Sequence, residues 1–173
     1  LPVDFGQRIG IESSDGRTRT FDDSSDGTGS GEGVAAILLK PLARALEDGD
    51  RIYAVIRGSA VNHDGASIGL TAPNPEAQEE VMMSAWKNAE IHPETLTYLE
   101  AHGTGTRLGD PIEISGIERA FARYTVRKSF CAIGSVKTNL GHLDSAAGLA
   151  GLLKNVVSLQ HKKLLPTLYF HKP

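Results

Sequence analysis

The reading turns on Thr95-Leu96-Thr97-Tyr98-Leu99-Glu100-Ala101-His102-Gly103-Thr104-Gly105-Thr106-Arg107-Leu108-Gly109-Asp110-Pro111. Residues 95–101 form a strand candidate that runs into a glycine-rich loop carrying His102. Residues 111–124 then read as a helix, with Ile112, Ile114, Ile117 and Phe121 available to its buried side. The pattern repeats downstream. Residues 130–136 are a strand candidate, Gly134-Ser135-Val136-Lys137-Thr138-Asn139-Leu140-Gly141-His142 is a second glycine-bounded histidine loop, and 145–160 is a helix. The expected cap of that helix is Asp144 or Ser145. Its first half is small (Ala146, Ala147, Gly148, Ala150, Gly151), which predicts close approach of another backbone.

Upstream, residues 34–39 are a continuous apolar run bounded by Gly33 and Pro41, predicted to be a buried strand. Residues 41–47 make a short helix and 52–61 a β-branched strand ending at Asn62-His63-Asp64-Gly65. Asn74-Pro75 is a helix start, with Glu76, Glu79 and Glu80 near its positive end. Val81, Met82, Ala85, Trp86 and Ala89 recur at helical spacing and read as core. Strands thus alternate with helices, which argues for an α/β fold in one domain. Gly27-Thr28-Gly29-Ser30-Gly31-Glu32-Gly33 has Gly at every second position but fits neither phosphate-loop pattern, so it reads as a tight backbone passage.

Composition narrows the function classes. The chain has 173 residues and a formal charge of −3, which gives no electrostatic reason to expect nucleic acid or an anionic membrane as partner. One Cys excludes an internal disulfide and a CxxC metal site. No apolar run approaches a membrane span, and residues 1–10 have no leader-like apolar segment, so a reducing, cytoplasmic setting is expected. Gly is 19 of 173 residues, above the usual ~7%, and the excess clusters around the two histidines.

In α/β folds chemistry collects at the carboxyl ends of strands, and imidazole suits proton or hydrogen-bond work near neutral pH. His102 and His142 therefore form a candidate functional pair, the plain alternative being two histidines satisfied within their loops. His63, His92, His161 and His171 lack this context and read as surface or turn residues. His102, Asp110 and His142 are conceivable metal ligands, but HExxH and HxH are absent and no metal is expected. No GxSxG offers a serine nucleophile. Two neutral imidazoles converging on one oxygen would suit an enolate or oxyanion, given a carbonyl substrate and a nucleophile.

His102-Gly103-Thr104-Gly105-Thr106 with Asp110-Pro111-Ile112-Glu113, and the loop from Gly134 to His142, resemble the two histidine motifs of β-ketoacyl synthases. The spacing of the histidines, Asp26-Gly27-Thr28-Gly29, Gly31-Glu32-Gly33, Val61-Asn62-His63-Asp64-Gly65 and the alanine-rich helix are similar to that family too. The resemblance spans about 21–173, and its style is that of ketosynthase domains of modular polyketide synthases. Some stand-alone family members carry Glu nine residues after the second His, where this chain has Gly151.

The resemblance implies a layered αβαβα thiolase-like fold, here one portion of it, and a decarboxylative Claisen condensation of carrier-protein-bound acyl and malonyl-type thioesters in polyketide or fatty acid biosynthesis. His102 and His142 would be catalytic. Lys137 would orient His142 or ordered water, with Asp110 and Glu113 as partners for its charge. Thr104 and Thr106 match positions that bind the phosphopantetheine arm, although a turn-stabilising role also suits them. The domain itself would bind no cofactor, its substrates arriving on the phosphopantetheine of an acyl carrier protein. The other implied partners are neighbouring synthase domains and, in the complete domain, a second copy. The family's nucleophile elbow and its Phe-Gly loop have no counterpart here, and Cys131 reads as inert packing on a buried strand. The expectation is a single partial ketosynthase domain over 1–173 that cannot condense acyl groups alone. A non-condensing acyl-transfer or scaffold domain is the alternative.

Overall fold

The glycine-rich passage is the first place where sequence dictates path. A computed structural model describes residues 11–65 and 73–173; residues 1–10, read above as lacking a leader, lie outside this range. A side chain on Gly29 would strike the Gly16 carbonyl, one on Gly31 the Leu140 carbonyl, and one on Gly33 the Leu143 side chain. The passage thus cradles other backbone, as a tight passage requires.

The elements follow in order: α1 (Leu42–Glu47), α2 (Pro75–Asn88), β1 (Tyr98–Glu100), α3 (Gly109–Ala122), β2 (Ala132–Gly134), α4 (Lys137–Leu140) and α5 (Ala147–His161). Asn74 caps α2 by accepting from the main-chain N–H groups of Glu76 and Ala77, and Pro75 opens the helix. The strands β1 and β2 pair in parallel, with Tyr98, Leu99 and Glu100 opposite Ala132, Ile133 and Gly134. The helix α3 crosses between them, so both histidine loops leave the sheet at the same, carboxyl, end.

Packing departs from the expected stripes. The fully buried positions of α3 are Asp110, Gly116 and Ala120, and the predicted isoleucines are only partly covered. The helix approaches α2 too closely for bulk, since a Cβ on Gly116 would lie 3.0 Å from Gln78 Oε1. Trp86 is buried as expected, with its ring 4.9 Å from Phe121 and 5.8 Å from Tyr124. The rest of the buried apolar set is almost all alanine, while Thr18, Thr20, Ser135, Lys137 and Thr138 are buried polar residues around the histidine loops.

Four expectations are corrected. Residues 34–39 and 52–61 form no strand. Among the described residues no neighbouring chain pairs with them, and Val34, Leu38, Leu39 and Val61 point outward. Helix α5 begins at Ala147, after a 3₁₀ turn over Asp144–Ala146, and has no side-chain cap. The close approach at its small residues is made by a side chain, Glu100, against Gly151, while Gly148 meets open space. Cys131 precedes β2 and is half-exposed, its thiol directed at the Ala132 carbonyl.

Candidate active site

The strand β1 ends at Glu100 and the chain turns out through His102. Gly103 and Gly105 have φ of +50° and +71°, a left-handed region that favours glycine. A side chain on Gly103 would also collide with Thr20 and Ser135. Two acids from the first turns of α3 gather the loop's amides. Glu113 accepts from His102 N at 2.6 Å and Gly103 N at 2.8 Å. Buried Asp110 accepts from Gly105 N at 3.0 Å and Phe21 N at 2.8 Å. Burial pushes both carboxyls above the usual range, against the lowering effect of those N–H donors.

The second loop leaves β2 through Ser135, whose hydroxyl donates to the His102 carbonyl at 3.2 Å. Buried Lys137 donates from Nζ to the same carbonyl at 2.6 Å and stands 3.4 Å from His102 Nδ1. Burial lowers its pKa, while Glu113, Glu100 and Asp110 oppose that. Gly141 (φ +78°) then reverses the chain. His142 N donates to Gly29 O at 2.7 Å, and Gly31 N donates to His142 O at 3.0 Å. His142 Nδ1 accepts from Asp144 N at 3.0 Å.

The two rings meet edge to face, with centroids 5.5 Å apart and planes at 85°. They line a cleft of about 460 Å³ with Glu100, Val136, Lys137 and Gly151. A main-chain N–H on His142 Nδ1 leaves its ring proton on Nε2, and donation from the Lys137 amine to Nδ1 does the same for His102. The His102 pKa is pushed down to about 4, first by burial, then by Lys137 and His142. Burial and Lys137 also lower that of His142. The cleft therefore presents two neutral imidazoles at pH 7.

The structure thus gathers His102, His142 and Lys137 in one cleft, with Asp110 and Glu113 behind the first loop. The hydrogen-bond partners of Lys137 lie on His102 rather than His142. Asp110 and Glu113 spend their oxygens on main-chain N–H groups and reach Lys137 through charge alone. Thr104 and Thr106 hydroxyls lie 3.3 Å apart, and Thr106 accepts from Gly109 N at the start of α3. Sequence reasoning missed Glu100 and Lys154, a buried ion pair with Nζ–Oε2 2.9 Å. The available signal was a charged residue ending a strand and a lysine amid the small, apolar face of α5.

The family model "Beta-ketoacyl synthase, C-terminal domain" matches residues 53–171, and "Beta-ketoacyl synthase, N-terminal domain" matches residues 2–45. Polyketide synthase PksM of Bacillus subtilis is 55% identical over 96% of the chain, which spans 4% of that protein. Polyketide synthase ThaG of Burkholderia thailandensis is 50% identical over 94% of the chain, which spans 3% of it. The solved ketosynthase from module 6 of the Bacillus subtilis bacillaene synthase superposes with a TM-score of 0.94 at 44% identity, covering 96% of this chain and 30% of that one. The fold is therefore a portion of the thiolase-like ketosynthase fold, and the chain belongs to the β-ketoacyl synthase family, as part of a ketosynthase domain of the modular polyketide synthase kind.

Proposed function

We propose that the chain supplies the decarboxylation half of a condensing site. A malonyl-type thioester, delivered on the phosphopantetheine of an acyl carrier protein, enters the cleft. Its C–CO₂ bond breaks, CO₂ leaves, and the electron pair moves into an enolate whose charge falls on the thioester oxygen. Neutral His102 and His142 donate from Nε2–H to that oxygen. Stabilisation that appears only as charge develops lowers the barrier without tightening substrate binding. The enolate carbon then attacks an acyl-thioester carbonyl, a C–C bond forms, and the cysteine thiolate departs.

That cysteine is not Cys131. Burial raises its thiol pKa, whereas a nucleophile needs the pKa lowered. The nucleophile, the carrier protein, neighbouring synthase domains and a second copy of the domain are contributed from outside these residues. Thr104 and Thr106, in the loop that carries His102, are the proposed contacts for the phosphopantetheine arm. Residues 1–173 are one portion of the domain, which works in the cytoplasm.

The single observation that carries the reading is the edge-to-face histidine pair with both Nδ1 atoms engaged. Both histidines are present, which favours condensation over the non-condensing alternative. In the complete domain, His102→Ala or His142→Ala is expected to leave acylation of the nucleophilic cysteine intact and to abolish condensation. Condensation at the wild-type rate in either variant overturns the assignment.

A further inference from the structure

In and behind the wall of the cleft lies a charged cluster that the scheme above does not use. Glu100 ends β1 with its side chain only 8% exposed, and Lys154 on α5 is 2% exposed. One oxygen of Glu100 accepts from Val136 N at 2.5 Å. The other accepts from Tyr98 OH at 2.7 Å and lies 2.9 Å from Lys154 Nζ. Lys154 is also 5.4 Å from the centre of the Tyr98 ring, a favourable place for a cation. Room for this carboxylate exists because residue 151 is glycine: a Cβ there would lie 3.1 Å from Glu100 Cγ.

Val136 immediately precedes Lys137, and its N–H, held by Glu100, is one of the ties on the turn from β2 into α4. We propose that Glu100 and Lys154 are positioning residues for the histidine cleft: Glu100 ties down the turn that carries Lys137 and balances its charge, and Lys154 sets how much of that carboxylate's charge Lys137 feels. This rests on the histidine-donor reading above. An ion pair so deep costs desolvation, and well-packed apolar residues would be at least as stable there. Its placement one residue from the lysine that contacts His102 gives it a second use. Lys137 is faced by Glu100 on β1, His102 in the first loop, Asp110 and Glu113 on α3, and His142 in the second loop. Lys154 lies behind Glu100, and Asp144 lies beyond His142. Among these, Glu100 alone is shared between two lysines.

A structural ion pair and a positioning pair respond differently to removal of each member. In the complete domain, E100Q keeps the shape and an acceptor for Val136 N but removes the charge. Condensation kcat is expected to fall roughly tenfold to a hundredfold, as with other supporting partners of catalytic groups. KM and cysteine acylation stay unchanged, and the alkaline limb of the kcat profile, where Lys137 loses its proton, moves to lower pH. K154M frees the Glu100 charge for Lys137 and moves that limb to higher pH. K154R restores the wild-type profile. Opposite displacements support the proposal. Displacement in one common direction, or none in E100Q, overturns it, and E100Q alone decides if K154M does not fold. His102→Ala assayed alongside separates the two failures: condensation lost in that variant with E100Q unchanged defeats only the positioning pair, whereas condensation kept in it defeats the histidine reading itself.

Discussion

Lys137 acts on both histidines, and its influence is measurable at each ring. Burial lowers both pKa values first, and the charge of Lys137 lowers them further. Lys137→Met is therefore expected to raise the His102 titration midpoint from about 4 toward the ordinary ~6.5, and that of His142 with it. NMR of isotope-labelled histidine in the complete domain reads both, and unmoved midpoints would remove Lys137 from the electrostatics of the cleft. The same shift has a stability sign. The folded pKa lies below the unfolded one, so the unfolded chain binds the proton first. The contribution of His102 is complete above about 6.5 and is lost as pH falls toward about 4. His102→Gln should flatten that part of the pH dependence of the urea midpoint, and an unchanged slope would contradict it. His102, His142, Lys137, Asp110 and Glu113 were legible because each sits within a contiguous loop motif. Glu100 and Lys154 were not, because their pairing joins a strand to a distant helix and no local pattern marks either residue.

Elements were legible where local chemistry sets their ends. Asn74-Pro75 opens α2 through a side-chain cap, and Asn74→Ala should cost about 1 kcal/mol in thermal unfolding. The helix α3 was placed within two residues of its observed bounds, yet its buried face was misread. Spacing of isoleucines signals a broad apolar stripe, whereas the buried positions are Asp110, Gly116 and Ala120, and Gly116 sits against α2. Gly116→Val would drive a Cβ toward Gln78 Oε1 and the Pro75 carbonyl and should destabilise by about 1–3 kcal/mol. A neutral effect in thermal unfolding would mean that the helices can separate at little cost. Strands were the poorest guess, because a strand is defined by its partner. Residues 34–39 have the right side chains but no neighbour among the described residues to accept their hydrogen bonds.

At the scale of the molecule, those unpaired segments expose apolar side chains: Val34, Leu38 and Val61 almost wholly (101%, 95% and 95%), and Ile37, Ile52 and Val55 in part (38%, 36% and 47%). Exposed apolar surface of this kind drives association. The isolated 173-residue chain is expected to sediment as concentration-dependent oligomers and to bind hydrophobic dyes. A sharp monomer that unfolds cooperatively would show that these segments find cover within the chain. The α/β class was legible in the two strand–helix units at 95–124 and 130–160, although the two upstream strands of that alternation are not formed, while the polar, hydrogen-bonded interior around the cleft was not legible, because hydropathy patterns carry no record of buried threonine and serine. The paired amides between Gly29, Gly31 and His142 also cross the interval between the two family-model matches, which end at 45 and resume at 53. A polypeptide cut within that interval would place His142 on one piece and the backbone that holds it on the other, and the shape of the cleft would then vary with the concentration at which the two halves meet.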